Sequence, residues 1–338
     1  MNTYLVTGGA GFIGSNFIHY LMSNECNQVK IINLDSLAYS ASLSNVSCFT
    51  TDSRYTFVHG NICDEALVQQ LFAENDIDYV VHFAAQTHVD RSIASAKVFA
   101  ETNIMGTLNL LDVAERRWTQ AQRQKKRFLY ISTDEVYGHL PEAGYFTEET
   151  PLNPRNPYAA SKAGGDMLAR AFYTTHGLPV LVTRCSNNYG PYQYEEKFLP
   201  NCIKCCLTGQ EIPVYGDGKN VRDWLHVTDH CKAIELVLKK GLPGEVYNIG
   251  GHNEHTNVEM VTILSNILRS DHRLEPSSIR YIEDRKGHDR RYAIHPAKLM
   301  NQLGWQTETT FAEGIRSTVR WYMEHPEFLS LNRVSVHP

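Results

Sequence analysis

The chain has 338 residues, of which 42% are hydrophobic and 20% charged, with a formal net charge of −5. That balance excludes a fibrous or disordered protein and speaks against a nucleic-acid partner, which calls for a net basic face. No apolar run approaches the roughly 20 residues of a membrane-spanning helix, so no membrane partner is expected.

The first strand is predicted at 4–7 and leads straight into Thr7-Gly8-Gly9-Ala10-Gly11-Phe12-Ile13-Gly14 and a helix at 12–23. The start of the chain lacks the basic, apolar and small-residue sections of a signal peptide, so a cytoplasmic protein is expected. Gly8, Gly11 and Gly14 follow G-x-x-G-x-x-G spacing. Glycine is required where backbone turns sharply or approaches a pyrophosphate, and the helix N-terminus behind it favours anions. The second strand, 30–34, runs into Asp35, where an acid holds a ribose 2′-hydroxyl and repels a 2′-phosphate, favouring NAD over NADP. Ser36, Leu37 and Ala38 continue this candidate cofactor site.

Further strands are expected at 56–59, 79–83, 127–132 and 179–183, with helical segments at 65–74, 98–115 and 159–176. Strands alternating with helices imply an α/β fold: a doubly wound, Rossmann-like parallel sheet covered on both faces, with a second, smaller α/β lobe. Residues 1–185 form the predicted dinucleotide-binding domain. After Asn187-Asn188-Tyr189-Gly190-Pro191 the chain becomes rich in Gly and Pro, so 186–330 reads as the second lobe. The apolar runs 233–237 and 246–249 are candidates to return to the first sheet, within a return contribution near 225–250. Residues 331–338 read as a frayed tail.

The fifth strand delivers Thr133-Asp134-Glu135-Val136-Tyr137-Gly138, and Tyr158-Ala159-Ala160-Ser161-Lys162 follows. At i and i+4 on a helix, Tyr158 and Lys162 share a face. A lysine cation and a cationic nicotinamide both lower a phenol's pKa from about 10, preparing Tyr158 to take a hydroxyl proton. An Asp-Glu pair after a strand is ordinarily a helix-capping pair; beside Tyr158 and Lys162 it reads as an acid and a base. The sequence alone does not order the two pKa values.

Of eight cysteines, Cys26, Cys48, Cys63, Cys185 and Cys231 are scattered, and Cys202, Cys205 and Cys206 cluster. No second pair follows at zinc spacing and 198–207 reads as helical, so the cluster is expected to face a core rather than a metal.

Together, the glycine pattern, Asp35 and Tyr158/Lys162 resemble the extended short-chain dehydrogenase/reductase family, whose members modify nucleotide sugars. Within it, Ser132–Gly138, Thr87-His88-Val89-Asp90-Arg91-Ser92, Ser186–Pro191, Val221-Arg222-Asp223-Trp224-Leu225 and Gly287-His288-Asp289-Arg290-Arg291-Tyr292-Ala293 resemble the dTDP-glucose 4,6-dehydratases. The likeness spans about residues 3–326. It implies that NAD oxidises sugar C4, water leaves across C5–C6 and hydride returns to C6. It also implies Asp134 as acid, Glu135 as base and Thr133 on the 4-hydroxyl. Phe12, Ile13, Asn61, Ile62, Phe83, Ala84, Ala85, Thr102 and Asn188 are implied for the NAD site. Thr87, Asn187, Lys197, Phe198, Pro213, Tyr215, Arg222, Asn257, Arg285 and His288 are implied for a dTDP-glucose substrate. A homodimer through helices at 98–117 and 158–173 is implied as well. Gln86, Asn61, Glu195 and Lys286 depart from the family pattern and leave dTDP against UDP open, since one methyl decides only about 1–3 kcal/mol. A UDP-sugar 4-epimerase would share Tyr158/Lys162 without needing Asp134 and Glu135, and a non-catalytic dinucleotide sensor would need neither pair.

Overall fold

The computed structural model describes residues 1–23 and 28–331; Cys26 and the tail 332–338 lie outside the described residues. Twelve strands are described, in chain order β1 (Asn2–Thr7), β2 (Val29–Asp35), β3 (Tyr55–His59), β4 (Tyr79–His82), β5 (Arg127–Thr133), β6 (Val180–Cys185), β7 (Asn187–Tyr189), β8 (Ile212–Tyr215), β9 (Val221–His226), β10 (Val246–Ile249), β11 (Glu254–Thr256) and β12 (Ile279–Ile282).

Seven of them form one sheet in the order β10-β6-β5-β4-β1-β2-β3, with every pairing parallel. Its central strands are buried on both faces, which is why they read as continuous apolar runs such as Phe128–Ile131. The order reverses beside β1. Crossovers from β1 and β4 leave toward opposite edges, and the carboxyl ends part into a crevice there. The run 246–249 returns to this sheet, pairing with β6. The run 233–237 does not return as a strand. It lies in helix Val227–Lys240, whose Ala233, Ile234 and Val237 pack with Phe17, Ile18 and Leu21 of helix Phe12–Ser23.

The expected long helix at 98–115 is interrupted. Residues Ala96–Ala100 are α-helical, Glu101–Gly106 widen into a π segment, and α-helix resumes at Thr107–Arg117. Asn103 in the widened turn accepts from the Gln86 N–H at 2.8 Å and donates to the Gln86 carbonyl and the Ser161 hydroxyl. Side-chain bonding replaces a regular helical turn there, which no apolar periodicity could signal.

The second lobe is built from β7, β9 and β11, the β8–β12 pair, and helices Phe198–Thr208, Asn257–His272 and Phe311–Glu324. Its core contains Leu199, Ile203, Trp224, Met260, Leu264 and Val319, together with Cys202, Cys205 and Cys206. The clustered thiols are thus packing groups, as helical spacing suggested. Among the described residues, no group of His, Cys, Asp or Glu is arranged to hold a metal ion, and no helix is long and apolar enough to cross a membrane.

Candidate active site

The glycine turn divides its labour. Gly8 has φ +72°, and a Cβ there would come within 2.6 Å of the Ala84 backbone nitrogen. A Cβ on Gly14 would collide with the Gly8 carbonyl. These two glycines let helix and strands touch. A Cβ on Gly11 would meet only the Gly8 carbonyl, at 3.2 Å, so that backbone stays open to the cleft. Helix Phe12–Ser23 begins just behind, with first-turn amides that have no intrahelical acceptors. Asp35 closes β2 and is buried. Its carboxylate accepts the N–H groups of Ala10 at 2.9 Å and Leu37 at 2.8 Å, which fixes it at the cleft edge. This cradle suits a dinucleotide.

One cleft is lined by Gly8, Gly11, Phe12, Ile13, Gly14, Asp35, Ser36, Ala38, Ile62, Phe83, Ala84, Ala85, Thr102 and Asn188 from the predicted cofactor set. The same cleft is lined by Thr87, Thr133, Asp134, Glu135, Tyr158, Lys162, Asn187 and Lys197. Asn61 and Leu37 are not on its wall. The Asn61 side chain turns back to accept the Cys63 N–H, and Leu37 spends a positive φ of 53° turning the chain after Asp35.

β5 ends at Thr133, whose hydroxyl accepts the Glu135 N–H at 3.3 Å and starts a short 3-10 turn, Asp134–Tyr137. The acids therefore do sit at a helical N-terminus, yet both face the cleft. The Asp134 carboxyl accepts from the Thr133 hydroxyl on one oxygen, while its other oxygen is buried without a partner. Glu135 accepts from the Asn156 side-chain amide at 3.3 Å. Burial, with Glu135 and Asp223 close by, holds the Asp134 pKa well above the usual carboxylate range. Burial raises that of Glu135 as well, but Arg222, the Asn156 bond, Arg285 and Lys197 all work against the rise. Burial thus raises both, and more of the surrounding cations and bonds oppose the rise at Glu135 than at Asp134.

Helix Pro157–His176 presents Tyr158 and Lys162 to the same space; both are buried. Lys162 donates to the Ile131 carbonyl at 2.6 Å, and burial brings its pKa down to about 8. The sequence reading expected Lys162 and a cationic nicotinamide together to lower the Tyr158 pKa. In the protein by itself, burial, then Glu135, raises it well above 10, and a bond to the Thr133 hydroxyl opposes the rise. In the chain alone the phenol stays protonated, because a desolvated phenolate beside a carboxylate is costly.

A buried ionic network anchors both motifs from below. Arg184 on β6 donates to both Asp166 oxygens at 2.9 Å and to the Tyr137 hydroxyl at 2.9 Å, and Tyr137 donates to Asn248 at 2.7 Å. Asp166 lies one helical turn beyond Lys162, and Tyr137 two residues beyond Glu135. This bidentate pair joins the helix, the acid-bearing turn and two strands.

The substrate residues of the second lobe divide. Arg222, Arg285 and Lys197 stand close enough to Glu135 to favour its ionised form. Arg285 makes two bonds to Asp90, at 2.6 and 2.9 Å, and lies over the Tyr215 ring; Tyr215 also donates to Asp90. His288 is beside Tyr215, bonded to Asp284. Phe198 instead packs on the second-lobe core near Trp224, Pro213 of β8 pairs with Arg280 of β12, and Asn257 opens a helix, its N–H on the Asn220 carbonyl. None of these three lines the cleft, and neither do Tyr215, Arg222, Arg285 or His288; of the predicted second-lobe substrate residues, Asn187 and Lys197 do. Ser40, Ala41, Cys185, Ser186, Gln193 and Tyr194 do line it and were not singled out from sequence. Cys185 ends β6 and the others sit in segments without periodicity; adjacency to Asp35 and to Asn187–Pro191 is the one signal that could have found them.

A family model described as GDP-mannose 4,6 dehydratase matches residues 5–318. The dTDP-glucose 4,6-dehydratase of Xanthomonas campestris pv. campestris (strain B100) is 50% identical over 331 residues, covering 96% of this chain and 93% of that protein. The chain belongs to the dTDP-glucose 4,6-dehydratase family. The Escherichia coli member is 44% identical over 343 residues, covering 96% of this chain and 94% of its own. A crystal structure of the Bacillus anthracis str. Ames dTDP-glucose 4,6-dehydratase in complex with NAD superposes with a TM-score of 0.88 at 47% identity, covering 98% and 99% of the two chains. The family's fold thus coincides with the seven-stranded sheet and its flanking helices.

Proposed function

We propose that this chain is an NAD-dependent hydro-lyase that converts dTDP-glucose to dTDP-4-keto-6-deoxyglucose. The observation that carries this reading is that Asp134, Glu135, Tyr158 and Lys162 all face the cleft opened by the glycine turn. An epimerase or a sensor has no use for both pairs. The names of the relatives and the NAD-bound neighbour support the same reading.

We assign Gly8, Gly11, Phe12, Ile13 and Gly14 to the pyrophosphate of NAD, Asp35 to its adenosine ribose, and Ile62, Ala84, Ala85, Thr102 and Asn188 to the remaining wall. NAD⁺, when bound, supplies a hydride acceptor for C4 and, once reduced, a donor for C6. Its cation also favours the Tyr158 phenolate, which the protein alone does not. Tyr158 takes the 4-hydroxyl proton, and Thr133 orients that hydroxyl. Oxidation to the ketone makes the C5 proton acidic, and ionised Glu135 removes it. Protonated Asp134 gives its proton to the departing C6 hydroxyl, which leaves as water. Glu135 returns a proton to C5 at the end.

Lys197, Arg222, Arg285 and His288 are the groups we assign to the nucleotide diphosphate, where planar arginine forks suit paired oxygens. Residues 1–185, with the return near 225–250, form the NAD-binding unit in this account, and 186–330 the sugar-nucleotide unit. Val98, Met105, Met167 and Tyr173 are exposed on the two helical segments beside the site, and we propose that a second copy covers them in a cytoplasmic homodimer. Incubation with dTDP-glucose should give a product lighter by one water with no accumulated NADH, more rapidly than with UDP-glucose. An unchanged mass with both sugars would overturn the assignment.

A further inference from the structure

Tyr39 lies in the segment after β2, and its contacts come from elsewhere in the chain. The Arg91 guanidinium carbon sits 3.3 Å from its ring centroid. Tyr194 meets the ring edge-on at 5.1 Å and His88 at 5.7 Å. Its hydroxyl donates to the Glu196 carboxylate, which is 3.8 Å from His88 Nε2. Among the described residues, Tyr39 joins none of the apolar cores. Its neighbours Ala38, Ser40 and Ala41 line one wall of the cleft, and Tyr194 and Lys197 line the other. One half-buried side chain therefore ties the first lobe to the second across the mouth of the cleft.

Resting on the proposed use of NAD, we infer that Tyr39 is a positioning residue that pins the 36–41 segment across the cleft and retains the dinucleotide through each turnover. A reaction that oxidises C4 and then reduces C6 needs the same cofactor molecule at both steps. Release in the reduced state would strand a ketone on the enzyme. A clasp made of a stacked cation, an edge-on ring and a charge-assisted hydrogen bond opens as a unit, since all three meet on one ring.

The test is the rate at which NAD leaves the full-length protein, followed after rapid dilution of the NAD-loaded form into excess unlabelled NAD. Tyr39→Ala should raise that rate about tenfold and lose NAD on desalting where the unaltered protein keeps it. Tyr39→Phe keeps the ring contacts and should show a smaller rise. Arg91→Gln, at an exposed position, should move in the same direction and decides the matter if Tyr39→Ala does not fold. Release at the unaltered rate in the variants, from a protein that binds NAD and turns over, overturns the clasp alone. A protein that takes up no NAD at all overturns the cofactor reading and the clasp with it.

Discussion

On the sheet side of the cleft, the proposed reacting groups sit at the end of β5 and on one face of a single helix. Thr133, Asp134 and Glu135 follow directly on a buried strand, and Tyr158 and Lys162 are one turn apart. In the second lobe, Arg222 comes from β9 and Arg285 and His288 from the 284–288 turn; none of the three lines the cleft itself, and each is held by polar bonds such as Arg285 to Asp90. Regular backbone with a buried Arg184–Asp166 anchor fixes atoms for bond making. A wall of turns and ion pairs can trade one anionic partner for another, which is what binding a diphosphate asks of it. The difference implies that damage to the first wall lowers kcat and damage to the second raises KM.

Tyr158→Phe gives the largest expected effect, a fall in kcat of about a thousandfold or more with NAD still bound, read by single-turnover absorbance of NADH. Retained turnover would remove Tyr158 from its role. Glu135→Gln should cost about a hundredfold and should still allow C4 oxidation while abolishing exchange of the C5 hydrogen with solvent. Arg285→Ala sharpens the contrast: KM for dTDP-glucose should rise roughly tenfold to a hundredfold with kcat changed far less. A fall in kcat matching that of Tyr158→Phe would erase the distinction between the walls.

The pH profile probes the sheet side more gently. In the proposed mechanism Lys162 serves as a cation beside Tyr158, and burial lowers its pKa to about 8. The cation is therefore present below pH 8 and lost as pH rises through that value, so kcat should decline on the alkaline side from near pH 8. Lys162→Arg keeps its charge, and should move that limb upward. Smallest of all, Asp35→Asn should reduce discrimination against NADP by about tenfold, measured as the ratio of the two dissociation constants.

What could be read from the sequence follows the same division. The parallel sheet was legible because buried strands and amphipathic helices alternate, and helix Glu65–Glu74 falls where the periodicity put it. Asp35 was legible from its place at a strand end after the glycine turn, whereas Asp134 and Glu135 stood out only beside Tyr158 and Lys162 and through the family resemblance. The π segment at Glu101–Gly106 was not, since it depends on Asn103 bonding across 17 and 58 residues. Neither was the raised Tyr158 pKa, which comes from desolvation that only the packed fold creates. Gln193 and Tyr194 reach the cleft through a turn with a positive φ at Tyr192, a feature with no glycine to mark it. The different surroundings of Asp134 and Glu135 were not legible either, since they depend on Asp223, Arg222, Arg285 and Lys197, which only the fold brings near.

The most direct test of the central claim, that one cleft both oxidises and dehydrates, is the mass of the product formed from dTDP-glucose in deuterium oxide. The account predicts a product that has lost one water and gained one carbon-bound deuterium at C5, with no NADH left over. A product of unchanged mass without deuterium would contradict it, because Glu135 and Asp134 would then have moved neither the C5 proton nor the C6 hydroxyl.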